Sequence, residues 1–293
     1  MFTMFFLCVA LCIGISGDLI KKVFNLRYGS EATLRCLFMT TAFAVGTVTL
    51  LLTGGVNFTD VSSFTLGLGV IFGIFTAVIT ITHMLALNTG PYAYTAVIIS
   101  FATLIPTFSG AIFWEEQVYP IQFLGIFLML ICFVLSTNSE SSQTTHTSKW
   151  LFYCFLTFCL NGSIALMQKW HQSTPYKEEL STFILIAFAS ASVSSLLMSL
   201  IQIKKEAETP CLSGKWIYLA LFAGIAFGLN NKMTLYLSGI MDSAVFFPVY
   251  NVGALLLNTF SGIVIFREKL SKRQIVGIAV GIVSVLCLCN PFA

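Results

Sequence analysis

The stretch FSGAIFWEEQVYPIQFLG at residues 108–125 returns as FSGIVIFREKLSKRQIVG at residues 260–277, which is 152 positions later (260 − 108). Over residues 107–125 and 259–277, seven of nineteen aligned positions are identical. Each copy consists of an apolar run, a charged break and a second apolar run. Internal similarity at a fixed offset indicates a duplicated structural unit. We therefore predict that the chain is built from two copies of one unit.

The composition indicates that this unit is embedded in lipid. The chain is 57% hydrophobic and 9% charged, with a mean hydropathy of +0.91, whereas soluble domains carry about 25% charged residues. Apolar runs without strand-like alternation recur along the chain, and each is long enough to cross roughly 30 Å of hydrocarbon as a helix. We predict an all-α integral membrane protein with ten transmembrane helices. Their spans are 3–20, 30–53, 64–87, 91–113, 119–137, 149–169, 180–203, 215–237, 242–266 and 272–290.

A polar stretch near the middle, TNSESSQTTHTSK at residues 137–149, divides these spans into five and five. We assign residues 1–137 to the first five-helix repeat, 138–148 to a polar linker and 149–293 to the second repeat. Because five is odd, the second repeat must enter the bilayer upside down relative to the first. The prediction is two inverted five-helix repeats with a binding site at the seam between them.

Several classes of function lack the residues they need. No Ser/His/Asp or Cys/His arrangement, Walker sequence or paired-acid motif occurs in the loops, so we do not expect an enzyme. The nine cysteines show no paired ligand spacing, so we expect no metal and no cofactor. The net charge of +3 is spread over many loops, which argues against a nucleic-acid partner.

Ionisable groups within apolar spans are costly, so they are the first candidates for a binding site. Arg35 lies inside the second span, where it either pairs locally with Glu31 or faces substrate. Lys232 follows Asn230 and Asn231 in the eighth span, where its ammonium either reaches the helix end or binds substrate. The repeat has no equivalent of Lys232. His83 in the third span is a weaker candidate.

The ninth span contains Pro248, which can free backbone carbonyls near Tyr250 and Asn251 or can form a packing kink. The repeated Glu116 and Glu268 precede the fifth and tenth spans, so we predict that they stabilise the N-terminus of the following helix. Lys22 and Lys169 form a further repeat echo. Small-residue faces should let helices approach closely. They are Gly69-xxx-Gly73, Gly224-xxx-Gly228 and Gly277-xxx-Gly281.

These residues resemble the drug/metabolite transporter superfamily, in its ten-helix EamA-like branch. The resemblance covers nearly the full length. It implies that helices 1–4 and 6–9 surround a central cavity, with helices 5 and 10 peripheral, and that small metabolites pass by alternating access. Relatives keep both termini in the cytoplasm, whereas the positive-inside rule places these termini outside, so the orientation stays open. The resemblance is carried by Lys22, Arg35, Glu116, Gly125, Glu268 and Gly277.

We therefore expect a multi-pass cell-membrane protein that transports a small polar or amphipathic metabolite, such as an amino acid, with export favoured. Its partners would be the small-molecule substrate, the lipid bilayer and a coupling proton or ion, and its oligomeric state is open, a monomer being sufficient. One alternative is an antiporter of an anionic cargo, such as a sugar phosphate or nucleotide-sugar, bound by Arg35 and Lys232. A non-transport alternative is a flippase subunit or a sensor. The predicted substrate-binding residues are Arg35, His83, Asn230, Asn231, Lys232, Tyr236, Tyr250 and Asn251.

Overall fold

The computed structural model describes residues 2–28, 32–89, 99, 101–136, 148–206, 214–266 and 272–289, and all regular structure in these ranges is helical. Short 3-10 turns at Phe101–Thr103 and Pro175–Glu179 precede α4 and α7. The ten α-helices of the described residues are α1 Phe2–Tyr28, α2 Ala32–Leu52, α3 Ser63–Thr89, α4 Leu104–Phe113, α5 Pro120–Ser136, α6 Ser148–Gln172, α7 Leu180–Glu206, α8 Lys215–Ile240, α9 Ser243–Phe266 and α10 Lys272–Cys289.

Each predicted span overlaps one of these helices, the fourth span over residues 101–113, and the all-helical class is confirmed. That all ten cross a membrane remains a prediction. The first helix runs eight residues beyond its predicted end at residue 20, since Lys21 is held by Asp18 at 3.2 Å and does not end the helix. Most of residues 91–100 and of the linker at 138–148 lie outside the described residues. Among the described residues, five stretches are long and apolar enough to cross a membrane: Thr3–Phe24, Thr33–Leu52, Ser63–His83, Ser148–Gln172 and Pro175–Lys204.

The surface of these helices is itself apolar. Leu52, Ile112 and Phe113 are 83%, 70% and 68% exposed, and many other large apolar side chains are also exposed. Apolar surface exposed to this extent is unfavourable in water. Together with the five long apolar stretches, it indicates a membrane protein.

The chain forms two compact units, and each combines segments from both halves of the sequence. Unit 1 contains Met1–Ala77 and Trp170–Leu237, and unit 2 contains Val78–Lys169 and Ser238–Ala293. The boundaries fall inside α3, α6 and α8. The compact units are therefore different divisions of the chain from the two predicted sequence repeats, which remain a prediction.

In unit 1, α2 and α7 are packed against each other and run antiparallel. Ser192 Oγ donates a hydrogen bond to Thr40 O at 3.3 Å, and these two residues lie 152 positions apart. Further along α2, Gly46 faces the ring of Phe188, which is one turn earlier in α7. Residue numbers at successive contacts thus increase along α2 and decrease along α7, so the two helices run antiparallel.

Two glycine pairs of unit 1 bring helix backbones close together. A Cβ atom at Gly69 or Gly73 of α3 would run into α7, and one at Gly224 of α8 would run into α2. A Cβ at Gly228 would lie 3.0 Å from the carbonyl oxygen of Gly46. The predicted small-residue faces at these two motifs are confirmed, and each third helix of a sequence half packs on the second helix of the other half.

In unit 2, α5 and α10 form the corresponding antiparallel pair, and α9 packs against α4 and α10. Ser284 Oγ donates to the carbonyl oxygen of Gly125 at 2.8 Å. Seven residues further along α5, Cys132 Sγ lies 2.8 Å from where a Cβ at Gly281 would be. Gly277, at the start of α10, is buried. Gly125 and Gly281 therefore permit this close packing, which confirms the Gly281 part of the third small-residue motif.

Candidate functional site

A buried ion pair lies in unit 2. Lys169, near the end of α6, places its Nζ 2.6 Å from Glu116 Oε1, and the two side chains are 9% and 7% exposed. The same Nζ donates to the carbonyl oxygen of Met241 at 3.0 Å. Two charges removed from solvent in this way need good mutual geometry and additional hydrogen bonds to offset their desolvation. This pair has both.

The Glu116 carboxylate also receives hydrogen bonds from the start of α9. The backbone N–H of Ser243 donates to Oε2 at 2.7 Å, and the Ser243 hydroxyl donates to Oε1 at 3.3 Å. The prediction that Glu116 serves the following helix is therefore wrong. That helix begins with Pro120, which has no N–H, and its first turn is closed by Gln122 Oε1, which accepts from the backbone of Tyr119 at 2.9 Å. The repeated Glu268 lies outside the described residues.

A second carboxylate, Glu179 of unit 1, stabilises the N-terminus of α3. The backbone N–H of Ser62 donates to Glu179 Oε2 at 3.1 Å, and the Ser62 hydroxyl donates to the same oxygen at 2.8 Å. Ser62 Oγ in turn accepts from the backbone N–H of Thr65 at 3.1 Å. Side-chain oxygens thus satisfy the N–H groups that every helix start leaves unpaired, and the negative charge complements the helix dipole.

This cap continues into a histidine that is fully buried. His171, one residue before the end of α6, places Nε2 3.2 Å from Thr65 Oγ1, and its Nδ1 lies 3.1 Å from Gln172 Nε2. Its ring stacks on Phe183 with centroids 4.3 Å apart. Hydrogen bonds therefore run without a break from the Glu179 carboxylate to the imidazole.

The sequence analysis did not identify this cluster. Its sixth span ends at residue 169 and its seventh begins at residue 180, so His171 and Glu179 both counted as residues of the loop between them. The signal was present in the ionisable residues that directly follow an apolar run. The pairing itself joins residues 106 and 117 positions apart, which a local pattern does not reveal.

Lys232 reaches the end of a neighbouring helix. Its Nζ donates to Thr53 Oγ1 at 3.1 Å and to the carbonyl oxygen of Gly54 at 3.0 Å, directly after α2. A cation there complements the C-terminal dipole of α2 and satisfies a terminal carbonyl. This geometry corresponds to the structural alternative for Lys232, in which the ammonium reaches a helix end.

Two of the candidate asparagines, Asn231 and Asn251, donate hydrogen bonds within their own helices. Asn231 Nδ2 donates to Phe227 O at 3.0 Å, and Asn251 Nδ2 donates to Phe247 O at 2.8 Å. Asn251 therefore bonds to the carbonyl that precedes Pro248. Both amides still have an oxygen that can accept a hydrogen bond.

Arg35 is half-buried in α2, and its Nε has no hydrogen-bond partner within the described part of the chain. Glu31, the predicted local partner, lies outside that part. Tyr236 is 48% exposed and meets Phe6 edge to face at 6.3 Å between ring centroids. Arg35 therefore has a buried donor, its Nε–H, that no described residue accepts from.

The predicted substrate-binding residues are distributed over both units. Whether they share a pocket remains a prediction. Across the described ranges, no group of three or more His, Cys, Asp or Glu side chains could hold a metal ion. Of the predicted substrate-binding residues, unit 1 contains Arg35, Asn230, Asn231, Lys232 and Tyr236, and unit 2 contains His83, Tyr250 and Asn251. Of the predicted structural residues, unit 1 contains Lys22, and unit 2 contains Gly125, Lys169 and Gly277.

Comparison with known proteins extends the description of the fold. No family model and no curated protein matches this chain. A solved crystal structure matches with a TM-score of 0.69 at 16% sequence identity, covering 96% of this chain and 98% of that chain. At this identity the likeness concerns the fold alone, and it extends over nearly the full length of both chains.

Proposed function

We propose that this protein is a secondary transporter that moves a small polar or amphipathic metabolite, such as an amino acid, by alternating access. The observation that carries the proposal is the packing of helices with the helices that are their counterparts in the predicted repeat. Within unit 1, α2 lies antiparallel to α7, and within unit 2, α5 lies antiparallel to α10. A duplicated unit inserted in opposite orientations produces such pairs, and inverted repeats of this kind are a common transporter architecture.

Buried ionisable groups in this apolar chain also support the proposal. Only 9% of the residues are charged, yet Lys169 and Glu116 are almost fully buried. A charge placed in a membrane helix costs about 2.5–3.5 kcal/mol on insertion scales, so such groups are retained mainly where they serve a pathway or a switch. The resemblance to the ten-helix drug/metabolite transporters suggests the same class and remains part of the proposal.

A thermal-shift screen of the purified protein tests this function. Amino acids, polyamines, nucleosides and sugar phosphates are the compounds to compare, and a ligand at 100 times its Kd should stabilise the folded state by about 2.7 kcal/mol. We expect one class to raise the unfolding midpoint and to enter proteoliposomes that contain the protein. If no class shifts the midpoint or crosses faster than in protein-free liposomes, the transporter proposal fails.

An anionic cargo is the second candidate, because the Nε of Arg35 is buried and has no hydrogen-bond partner among the described residues. Guanidinium groups bind phosphate or carboxylate through two parallel hydrogen bonds. If this candidate is correct, sugar phosphates will raise the unfolding midpoint, and Arg35→Gln and Lys232→Ala will each abolish that increase. Unchanged binding in Arg35→Gln would exclude it.

A further inference from the structure

We infer that the hydrogen-bonded chain from Glu179 through Ser62 and Thr65 to His171 is a proton path, in which Glu179 exchanges protons with the surroundings and His171 stores one. The inference rests on the proposed function only where it assigns this proton to the coupling of transport. Proton binding itself requires no cargo.

The geometry supplies an unbroken path. Glu179 is partly exposed, whereas His171 has no exposed surface. The three links measure 2.8 Å from Ser62 Oγ to Glu179 Oε2, 2.9 Å between the Ser62 and Thr65 hydroxyls, and 3.2 Å from Thr65 Oγ1 to His171 Nε2. All three lie in or close to the hydrogen-bond range. Hydroxyl groups both donate and accept, so they can pass a proton in either direction.

One proton moves through the path in a balanced step. With Glu179 protonated, its O–H donates to Ser62, Ser62 donates to Thr65, and Thr65 donates to Nε2 of the neutral imidazole. Each hydrogen then shifts one oxygen or nitrogen onward, so the O–H bond at Glu179 breaks and an N–H bond forms at His171. The carboxyl becomes a carboxylate and the imidazole becomes an imidazolium.

The second ring nitrogen has a partner in both charge states. Gln172 presents its amide to Nδ1 at 3.1 Å. Its nitrogen donates when Nδ1 is unprotonated, and after a turn of the amide its oxygen accepts when Nδ1 carries a hydrogen. The imidazolium therefore leaves no buried N–H unpaired.

The surroundings of the ring favour control by Glu179. The elements packed against His171 contribute Phe64 and Thr65 from α3 and Phe183 from α7, none of which is charged. Within the described residues, Glu179 is the charged group in electrostatic contact with the ring. On its own helix, Lys169 is two residues away and is already paired with Glu116. Chains of Glu and His side chains in membrane proteins serve as proton relays in pumps and transporters.

Solid-state NMR of 15N-histidine-labelled protein in lipid vesicles, without any cargo, tests the inference directly. The chain has three histidines, and His171→Asn identifies the signal of interest. We expect the His171 nitrogens to change from neutral to imidazolium shifts as the pH is lowered. In Thr65→Val, which interrupts the path, exchange of the ring N–H with solvent should slow by about tenfold or more.

Thr47→Val is the matched control, because the Thr47 hydroxyl donates within its own helix to Phe43 O at 2.9 Å. It should leave the exchange rate unchanged. If Thr65→Val does not fold, Ser62→Ala interrupts the same path. This variant keeps the backbone N–H of residue 62, which donates a hydrogen bond to Glu179. Equal exchange in the wild type and the interrupted variant, or a ring that stays neutral throughout, would overturn the inference.

The outcomes separate this inference from the proposed function. A negative NMR result would leave cargo binding and uptake untouched. A positive NMR result with no flux of any compound would contradict the proposed transport function and would still support the proton path. If both hold, uptake driven by a pH gradient should be lost in Thr65→Val, while the cargo-induced thermal shift persists.

Discussion

At the scale of single residues, the ion pair of Lys169 and Glu116 should be the most sensitive point of unit 2. Lys169→Met leaves a buried carboxylate without its cation, which should lower the free energy of unfolding by about 3–5 kcal/mol. Thermal unfolding of the purified protein in detergent measures the loss as a lower midpoint.

The double variant Lys169→Met with Glu116→Gln is the control. It removes both charges, while the amide oxygen introduced by the second substitution can still accept from Ser243. Its unfolding midpoint should therefore lie above that of Lys169→Met alone. A double variant that is less stable than the single variant would contradict the description of a mutually compensating pair.

The repeat in the sequence identified Glu116 and Lys169 as structural residues because each has a counterpart in the other half. It did not reveal that they pair, since Met241 and Ser243 complete the site from a distant segment. His171 was missed for a related reason. A residue at the end of an apolar run reads as interfacial, and only the fold brings Ser62 and Thr65 against it.

At the scale of helices, the contact between α3 and α7 depends on a residue without a side chain. In Gly73→Ala the new methyl group would overlap Ser190 and the carbonyl oxygen of Ala187. Overpacking of this kind typically costs about 1–3 kcal/mol, and we expect a corresponding decrease in the unfolding midpoint.

Gly67→Ala provides the matched control on the same helix, because no atom lies within 4 Å of its would-be Cβ. Alanine is favoured over glycine in a helix interior by about 0.5–1 kcal/mol, so this variant should be as stable as the wild type or more stable. Equal losses in both variants would show that the α3–α7 contact does not depend on Gly73.

The helices themselves could be predicted closely, because lipid-exposed and buried faces are both apolar and the runs stand out from the polar breaks. Helix ends were less predictable. The predicted first span ended directly before Lys21 and Lys22, yet Lys21 pairs with Asp18 and the helix continues to Tyr28. The glycine motifs predicted that some helices pack closely, but the sequence did not show which helices are the partners.

At the scale of the whole molecule, the proposed inverted repeat makes a prediction about sides of the membrane. Tyr119 precedes α5 and Lys272 begins α10, and both are exposed. Single cysteines at these positions, in a background without the nine native cysteines, should react with an impermeant maleimide from opposite sides of the membrane. Intact and permeabilised cells distinguish the two sides.

Labelling of both positions from the same side would exclude an inverted arrangement of α5 and α10. The cysteine-free background, without either introduced cysteine, is the control for non-specific labelling. The same experiment also decides which side the ends of the chain face, because each helix reverses the direction of the chain.

The crossing of α2 and α8 at Gly46 and Gly228 has a consequence for the reach of Lys232. With bare backbone at the contact, the two helices cannot slide apart or shift along one another without losing it. Lys232 lies one helical turn after Gly228, and Thr53 lies two turns after Gly46. The close contact at Gly46 and Gly228 thus fixes the distance between the two helices, and with it the position of the Lys232 ammonium at the C-terminal end of α2. A bulkier residue at either glycine would move this ammonium away from its partners without contacting it.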